Sequence, residues 1–216
     1  MPNTGSQQQV RIIGRASSIN VRKVLWTCRE IGIAYTFDGD WEEDVRAARR
    51  AELLALNPND QFPVLLDSDG PIWESNTICR YLAAEHGRVD LLPTKPRERA
   101  SVEQWMDWQA TDLNSAWRYA FMALVRKAPA YDRQSDVDTS VAAWNAAMTL
   151  LEHRLAATGA FVTGSVFTLA DVVLGVSVNR WMLTPMPKPE LPSVAAYYDR
   201  LGDRPGFASH VRNGIP

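Results

Sequence analysis

Cysteine and histidine are scarce in this chain of 216 residues. The two cysteines, Cys28 and Cys79, lie far apart, and each falls on the apolar stripe of a predicted helix. We therefore expect buried, reduced thiols rather than a disulfide. The three histidines are just as dispersed and show no metal-ligand spacing. The sequence thus predicts no metal site, and catalysis would have to use hydroxyls, carboxylates, amides or a borrowed cofactor.

Long apolar runs and clusters of basic residues are also missing. No stretch approaches the ~18 consecutive apolar residues of a membrane span, and the first nine residues, MPNTGSQQQ, lack the features of a secretory signal. The formal net charge is -2, from 23 Lys and Arg against 25 Asp and Glu spread along the chain. These features predict a cytoplasmic protein that binds neither nucleic acid nor a membrane, with residues 1–9 as a flexible tail.

Strand and helix signals alternate in the first part of the chain, over residues 10–86. Hydrophobic residues make up 46% of the sequence, which is enough for two domains with cores of their own. The order of signals is βαβαββα, and it predicts an α/β domain with one mixed sheet. The segments are a strand from Val10, a helix over Val21–Ile31, a strand through Tyr35, a weak helix over 42–55, a hairpin around Asp67–Gly70 and a helix from Ser75.

Strand signals disappear in the second part of the chain. Residues 87–97, GRVDLLPTKPR, contain two prolines and several charges, which is typical of a linker. Apolar residues at helical spacing then recur across residues 98–216, which predicts an all-helical bundle. The predicted helices span 98–125, 137–158, 168–183 and 191–201.

The segment NPNDQFPVL, residues 57–65, places a proline just before a predicted strand. Pro63 cannot donate to a sheet and keeps Phe62 extended, so the backbone of Phe62 would lie free at an open edge. Such an edge can pair with an extended peptide as one more strand. The alternative is an ordinary loop before an edge strand.

The segment WESN, residues 73–76, passes from a strand directly into a helix. A helix N-terminus favours anions, so the Ser75 hydroxyl and the neighbouring amides would suit a carboxylate, while Glu74 could pair with an ammonium. Together they would bind the α-amino acid end of a small ligand. The alternative is a serine cap that follows a solvated glutamate.

Two further segments contain hydroxyl residues at helix starts. In SSIN, residues 17–20, a serine is by default a helix N-cap, and no histidine is near enough in sequence to act as a base for a serine nucleophile. If this hydroxyl acts, it donates a hydrogen bond to a ligand's anion. In FTLAD, residues 167–171, the threonine and the aspartate fit a capping box, which we interpret as structural.

These segments, in this order, resemble the glutathione S-transferase superfamily over almost the whole chain from Val10. The resemblance rests on the serine turn, NPNDQFPVL, WESNTICRYLA and FTLADVVLG in register. It implies a thioredoxin-like N-terminal domain, an all-helical C-terminal domain, a cis bond before Pro63, and a homodimer. Glutathione would be the co-substrate.

The resemblance also implies roles for residues of the first domain. Glu74 and Ser75 would bind the γ-glutamyl end of glutathione, the Phe62 backbone beside Pro63 would pair with its cysteinyl unit, and Gln61 would lie close to the tripeptide.

A serine hydroxyl at the first turn donates to the glutathione sulfur in the phi and theta classes, and Ser18 aligns best with that position. Ser17 stands where beta-class enzymes have a cysteine. Asn20 resembles the asparagine that nu-class enzymes place two residues after a threonine.

The second domain would supply the electrophile pocket. The stretch QWMDWQATDLN, residues 104–114, resembles the fourth helix of the beta class. This implies that Asn114, Trp117 and Trp181 lie near the electrophile and that Asp107 reaches the glutathione of the other subunit. Core packing is the alternative interpretation of the tryptophans.

The sequence thus predicts a glutathione transferase that activates the thiol as a thiolate for attack on small hydrophobic electrophiles, a detoxification reaction. A glutathione-dependent disulfide or peroxide reductase is one alternative, suggested by Ser18 and Asn20. A non-catalytic protein of the same fold that binds hydrophobic ligands is another.

Overall fold

The computed structural model describes residues 10–216, so the tail predicted at residues 1–9 lies outside the described residues. The chain divides into two compact units, one that ends at His86 and one over Gly87–Pro216. None of the helices within residues 10–216 is long and apolar enough to cross a membrane.

The first unit follows the predicted order of elements with one difference. The weak helix predicted over 42–55 is two short helices, because Arg49 between them has φ -100° and ψ 15°, outside the helical range. The elements are β1 (Val10–Ile13), α1 (Ile19–Ile31), β2 (Tyr35–Asp38), α2 (Glu43–Ala48), α3 (Arg50–Leu56), β3 (Val64–Asp67), β4 (Gly70–Trp73) and α4 (Ser75–Glu85).

The four strands form one mixed sheet, as the sequence predicts, and the structure gives their order as β2-β1-β3-β4. Strand β1 is parallel to β2 and antiparallel to β3, and β3 is antiparallel to β4. Helices α1 and α4 pack against each other, and each buries apolar residues along its length. Cys28 on α1 and Cys79 on α4 are both buried and free, which confirms the prediction of reduced thiols.

The second unit is all-helical, as predicted. The helix predicted over 98–125 contains a π turn, Gln109–Leu113, and a short C-terminal helix was not predicted because six residues carry too little periodicity. The helices are α5 (Pro96–Trp108), α6 (Asn114–Leu124), α7 (Gln134–Thr158), α8 (Leu169–Leu183), α9 (Pro192–Gly202) and α10 (Pro205–His210), with a 3-10 turn at Pro129–Tyr131.

Helix α8 is the centre of this second unit, and its residues Leu169–Trp181 are all buried. Its start has the predicted capping box: the Thr168 side chain accepts from the backbone of Asp171, and the Asp171 carboxylate accepts from the Thr168 amide at 2.8 Å. Asp171 also accepts from the Val162 amide at 2.9 Å and the Tyr197 hydroxyl at 3.1 Å. One fully buried carboxylate therefore fixes the start of α8, the loop before it and helix α9.

Candidate functional site

The register of the sheet brings three of the predicted segments to one end of it. Ile13 at the end of β1 pairs with Val64 at the start of β3, and Val64 pairs with Trp73 at the end of β4. The serine turn that follows β1, the loop that precedes β3 and the WESN segment that follows β4 therefore lie side by side. We call this group, residues 14–20, 60–63 and 74–76, the strand-end site.

The serine turn of this site begins helix α1 without using its hydroxyl as a cap. Ser18 is the N-cap residue, with φ -77° and ψ 125°, and its carbonyl accepts from the Arg22 amide at 3.0 Å. Its side chain makes no capping hydrogen bond. The position predicts a cap, but the side chain does not act as one, so the Ser18 hydroxyl is available to a ligand.

Ser17 and Asn20 flank Ser18 in the same turn, and all three are half-buried. Within residues 10–216, the side-chain oxygen of Asn20 is buried and has no hydrogen-bond partner.

Gly14, which no pattern in the sequence singles out, lets this turn approach the neighbouring loop. Gly14 has φ +147°, and a Cβ atom there would lie 2.6 Å from Cγ2 of Val21 and 3.1 Å from Cβ of Phe62. Only the absence of a side chain lets the end of β1 pass between helix α1 and Phe62.

Replacing Gly14 with alanine is expected to lower the free energy of unfolding by ~2–3 kcal/mol, because the new methyl group overpacks a buried contact at a φ that favours glycine. Gly32→Ala is the matched control: Gly32 has φ +82°, but no atom lies within 4 Å of the position that a methyl group would take there. Gly32→Ala should lower the free energy of unfolding by only about 1 kcal/mol, through backbone strain alone. Equal losses in urea unfolding of the two variants would contradict the role of the close approach.

The loop before β3 is held by its own polar side chains. Asn57 is almost fully buried, donates from Nδ2 to the Gln61 carbonyl at 2.9 Å, and accepts the Asn59 amide at 3.0 Å. Arg46 on α2 donates to the Asp60 carbonyl at 2.7 Å. These bonds position Gln61 and Phe62. The sequence predicts no role for the side chains of Asn57 and Arg46, because neither an asparagine in a loop nor an arginine in a helix is distinctive.

The peptide bond between Phe62 and Pro63 is cis, as the resemblance implied. The ring of Phe62 packs edge-on against Trp41 with centroids 5.2 Å apart. Within the described part of the chain, neither the amide nor the carbonyl of Phe62 makes a hydrogen bond. The backbone of Phe62 is therefore free, as the sequence predicted, and its pairing with an extended peptide stays a prediction.

The WESN segment has a strained residue at its centre. Glu74, the N-cap of α4, has φ 71° and ψ 109°, a conformation that costs a non-glycine residue on the order of 1–3 kcal/mol. Its side chain is exposed, whereas Ser75, the first helical residue, is buried. This conformation lies at the change of direction from β4 into α4, directly before Ser75 and the first amides of the helix.

A buried lysine on α1 forms a hydrogen bond with this segment. The Lys23 ammonium on α1 donates to Oδ1 of Asn76 at 3.2 Å, and both residues are buried. This bond ties the first turn of α4 to α1, and with it the Glu74 and Ser75 segment to the serine turn. No local pattern predicts this bond, because the two residues are 53 positions apart.

Both cysteines lie outside the strand-end site and are unsuited to nucleophilic chemistry. Burial raises the pKa of the Cys79 thiol to about 11, although a hydrogen bond from Thr27 opposes the shift, and burial also raises the pKa of Cys28. Both remain thiols at neutral pH, so the hydroxyls, carboxylates and amides of the site are the groups that could act.

The structure places the remaining predicted residues on the helical unit. Asp107 is exposed on α5, and Asn114 is half-buried at the start of α6. Trp117 and Trp181 are buried, and their indole nitrogens donate to Asn114 at 3.0 Å and to Asn145 at 2.9 Å. Most of each tryptophan therefore belongs to the core of this unit.

Two protein-family models and a curated protein are similar to this chain. Residues 9–84 match a family model described as the glutathione S-transferase N-terminal domain, and residues 128–200 match the glutathione S-transferase C-terminal domain. The chain is 34% identical over 210 residues to glutathione S-transferase GstB of Escherichia coli (strain K12), which covers 94% of this chain and 97% of that protein.

Solved structures are similar over the same length. The theta class glutathione S-transferase of Xanthomonas axonopodis pv. citri, crystallised with glutathione bound, is 33% identical, with a TM-score of 0.81 over 97% of this chain and 100% of that one. Glutathione transferase F7 of Populus trichocarpa is 22% identical, with a TM-score of 0.82 over 96% of this chain and 99% of that one, which supports the fold alone.

Proposed function

Because this chain belongs to the glutathione S-transferase family, we propose that it binds glutathione at the strand-end site and presents the glutathione sulfur as a thiolate to small hydrophobic electrophiles. Its first unit has the thioredoxin-like fold of that family, and its second is the all-helical domain. The bound glutathione in the similar theta class structure supports glutathione as the co-substrate.

We assign each part of the tripeptide to residues whose charge or hydrogen-bonding groups complement it. Glu74 pairs with the γ-glutamyl ammonium, and Ser75 with the first amides of α4 binds the γ-glutamyl carboxylate. The free backbone of Phe62, beside Pro63, pairs with the cysteinyl unit as an added strand, and Gln61 lies along the peptide.

The unused hydroxyl of Ser18 is the observation that carries the proposed mechanism. A free thiol has a pKa near ~8.5, and lowering it by about two units requires ~2.7 kcal/mol of differential stabilisation. A hydrogen bond to a charged group contributes about 1.5–3 kcal/mol, and the N-terminus of α1 adds ~0.5 kcal/mol. A hydroxyl that donates to the sulfur at this helix start is therefore sufficient, and Ser18 itself needs no base.

Two assays test the proposed function directly. Calorimetry should show that the purified protein binds glutathione, and a spectrophotometric assay should show conjugation to 1-chloro-2,4-dinitrobenzene. A protein that neither binds glutathione nor conjugates it would refute the proposal. Tight binding of hydrophobic dyes without glutathione binding would instead indicate the non-catalytic protein.

A reductase remains the second candidate, and the side chain of Asn20 favours it. Its buried oxygen has no partner among the described residues and lies two positions after Ser18, the spacing that resembles the nu class. Turnover of hydroxyethyl disulfide far above any conjugation, abolished in Asn20→Ala, would establish reduction as the main activity.

Replacing Glu74 with glutamine is expected to weaken glutathione binding about 10- to 50-fold, because a charged pair becomes a neutral hydrogen bond. The free energy of unfolding should change little, since the side chain is exposed. A glutathione analogue without the γ-glutamyl ammonium should bind the wild type and the variant equally. Glu85→Gln, at the exposed end of the same helix, is the matched control, and an equal loss there would contradict a specific role for Glu74.

The remaining assignments concern the second substrate and the assembly. We assign the electrophile to the helical unit near Asn114, with Trp117 and Trp181 contributing apolar surface, and the physiological role to detoxification in the cytoplasm. A homodimer would allow Asp107 to reach the glutathione of the partner subunit. Light scattering measures whether the protein is a dimer. The glutathione affinity of Asp107→Asn, which should be lower than that of the wild type, measures whether Asp107 contacts the tripeptide.

A further inference from the structure

The first unit contains a cavity of about 610 Å³ at the end of the sheet opposite the strand-end site. Its walls come from the beginnings of β1 and β2, at Val10 and Tyr35, the end of β3, at Asp67, and the ends of α1 and α4. All of the residues that line it belong to this unit. Helix α4 has 11 residues and rises ~1.5 Å per residue, so the cavity lies ~15 Å from the start of this helix in the strand-end site. A cavity of this size is large enough for a small molecule.

Part of the cavity wall is apolar and aromatic. Val10 and Leu82 are buried, and Tyr35 and Tyr81, which also line the cavity, are half-buried. Apolar surface takes up the hydrocarbon part of a ligand, and a tyrosine ring also attracts a cation to its face. In the part of the chain that the structure describes, no group of three His, Cys, Asp or Glu side chains could hold a metal ion. The cavity therefore favours an organic ligand over a bare ion.

Two carboxylates line the same cavity, and among the described residues neither is paired with a basic side chain. Asp67 accepts from the Tyr81 hydroxyl at 2.7 Å and from the Asp69 amide at 2.9 Å, so its position is fixed. The hydrogen bond with Asp67, together with burial, raises the pKa of Tyr81 to about 12, so the hydroxyl keeps its proton at neutral pH. Glu85, one turn after Tyr81 on α4, is exposed and makes neither a hydrogen bond nor an ion pair within residues 10–216.

Two helix C-termini make the potential in the cavity more negative. Helix α1 ends at Ile31 and α4 ends at Glu85, and both residues line the cavity. The last carbonyls of a helix have no amide partners and carry a partial negative charge. Within residues 10–86, His86 is the only basic residue that lines the cavity, and Arg29, whose charge acts on Tyr35, is exposed and lies outside the lining. The balance of charge therefore favours a cation.

We propose that this cavity is a second ligand site, which binds small organic cations that have an ammonium group on an apolar body. The ammonium pairs with Asp67 and Glu85 beside the helix ends, and the apolar body packs against Val10, Tyr35 and Leu82. A charge-assisted hydrogen bond to a carboxylate is stronger than a neutral one. The site goes beyond the proposed function and does not depend on it, because none of the residues assigned to glutathione takes part.

The test uses three indole compounds of similar size and different charge. Tryptamine has an ammonium at pH 7, tryptophol is neutral and indole-3-propionate is an anion. Isothermal titration calorimetry of the full chain measures the Kd of each compound. We expect tryptamine to bind at least about 10-fold more tightly than tryptophol, and indole-3-propionate to bind most weakly, because the carboxylates and the helix ends favour positive charge. The affinity for tryptamine should be the same with and without saturating glutathione, since the two sites lie at opposite ends of α4.

Three variants place tryptamine in the cavity. Asp67→Asn removes one charge but keeps an oxygen that accepts from Tyr81, and asparagine suits the same turn position. We expect it to weaken tryptamine binding about 10-fold, and Glu85→Gln to weaken it about threefold because that side chain is exposed, with tryptophol binding unchanged in both. Asp69→Asn is the matched control: it removes an exposed charge from the same hairpin, outside the lining, and should change the Kd less than about twofold.

The inference is overturned if tryptamine binds no more tightly than tryptophol, if Asp67→Asn and Asp69→Asn change its Kd equally, or if glutathione displaces it. Tighter binding of indole-3-propionate would also overturn it, because the cavity would then take an anion. Failure to bind glutathione would reject the proposed function alone, since the tryptamine titration requires no glutathione. Thermal melting identifies a variant that fails to fold. If Asp67→Asn does so, the exposed Glu85→Gln decides, and an unchanged Kd for tryptamine in that variant overturns the inference.

Discussion

Replacing Ser18 with alanine is expected to lower kcat/KM for conjugation about 100-fold, because the glutathione thiolate loses one charge-assisted hydrogen bond worth up to ~3 kcal/mol. The pKa of the bound thiol should rise by about one to two units, so the rate profile should shift to higher pH by the same amount. The KM for glutathione should change little, since the proposed contacts with the peptide are those of Glu74, Ser75 and Phe62. A pH series of kcat/KM, with ultraviolet titration of the bound thiolate, measures both effects.

Two further variants identify which serine acts. Ser18→Thr keeps a hydroxyl and should retain most of the activity, whereas Ser17→Ala removes a neighbouring hydroxyl from the same turn and should lower the rate less than threefold. A large loss in Ser17→Ala with little change in Ser18→Ala would transfer the role to Ser17. Loss of stability does not explain the expected result, because the Ser18 side chain makes no capping bond.

Replacing Asp171 with alanine is expected to lower the free energy of unfolding by ~3–5 kcal/mol, the cost of leaving several buried donors without an acceptor. The Val162 and Thr168 amides and the Tyr197 hydroxyl all donate to this carboxylate in the interior of the helical unit. Urea unfolding measures the loss. Asp138→Ala, which removes an exposed carboxylate near the start of α7, is the control and should cost less than about 1 kcal/mol.

The stability contribution of Asp171 should also depend on pH in a defined direction. Burial raises the pKa of its carboxyl from 3.8 to about 6, although the hydrogen bonds from Val162, Thr168 and Tyr197 oppose the shift. A raised pKa in the folded state favours the protonated form. The contribution is therefore fully present below pH ~4 and falls by about 3 kcal/mol as pH rises through 6.

Asp171→Asn isolates this effect from the other carboxylates. The difference in unfolding free energy between the wild type and the variant should shrink as pH rises from about 4 to 7. A difference that grows over this range would mean that the hydrogen bonds donated to the carboxylate outweigh the cost of burying its charge.

The order of secondary structure could be predicted because each element has a local cause. Alternating and helical spacing of apolar residues indicates βαβαββα and the helical unit, and the spacing of Thr168 and Asp171 indicates the capping box. The differences between the prediction and the structure also have local causes. The backbone of Arg49 leaves the helical range within the predicted helix over 42–55. The π turn that begins at Gln109 interrupts a helix whose apolar spacing is regular.

The sequence by itself determined which chemical groups are available: a serine hydroxyl at a helix start, an acidic residue beside a second helix start, and a proline before a strand. Only the tertiary structure decided that they meet, because the pairing of Ile13 with Val64 and of Val64 with Trp73 joins segments that are far apart in the chain. The unused hydroxyl of Ser18 was likewise decided in three dimensions. The reason is physical: a side chain's chemistry is local, but which of its atoms remain open depends on partners that only folding supplies.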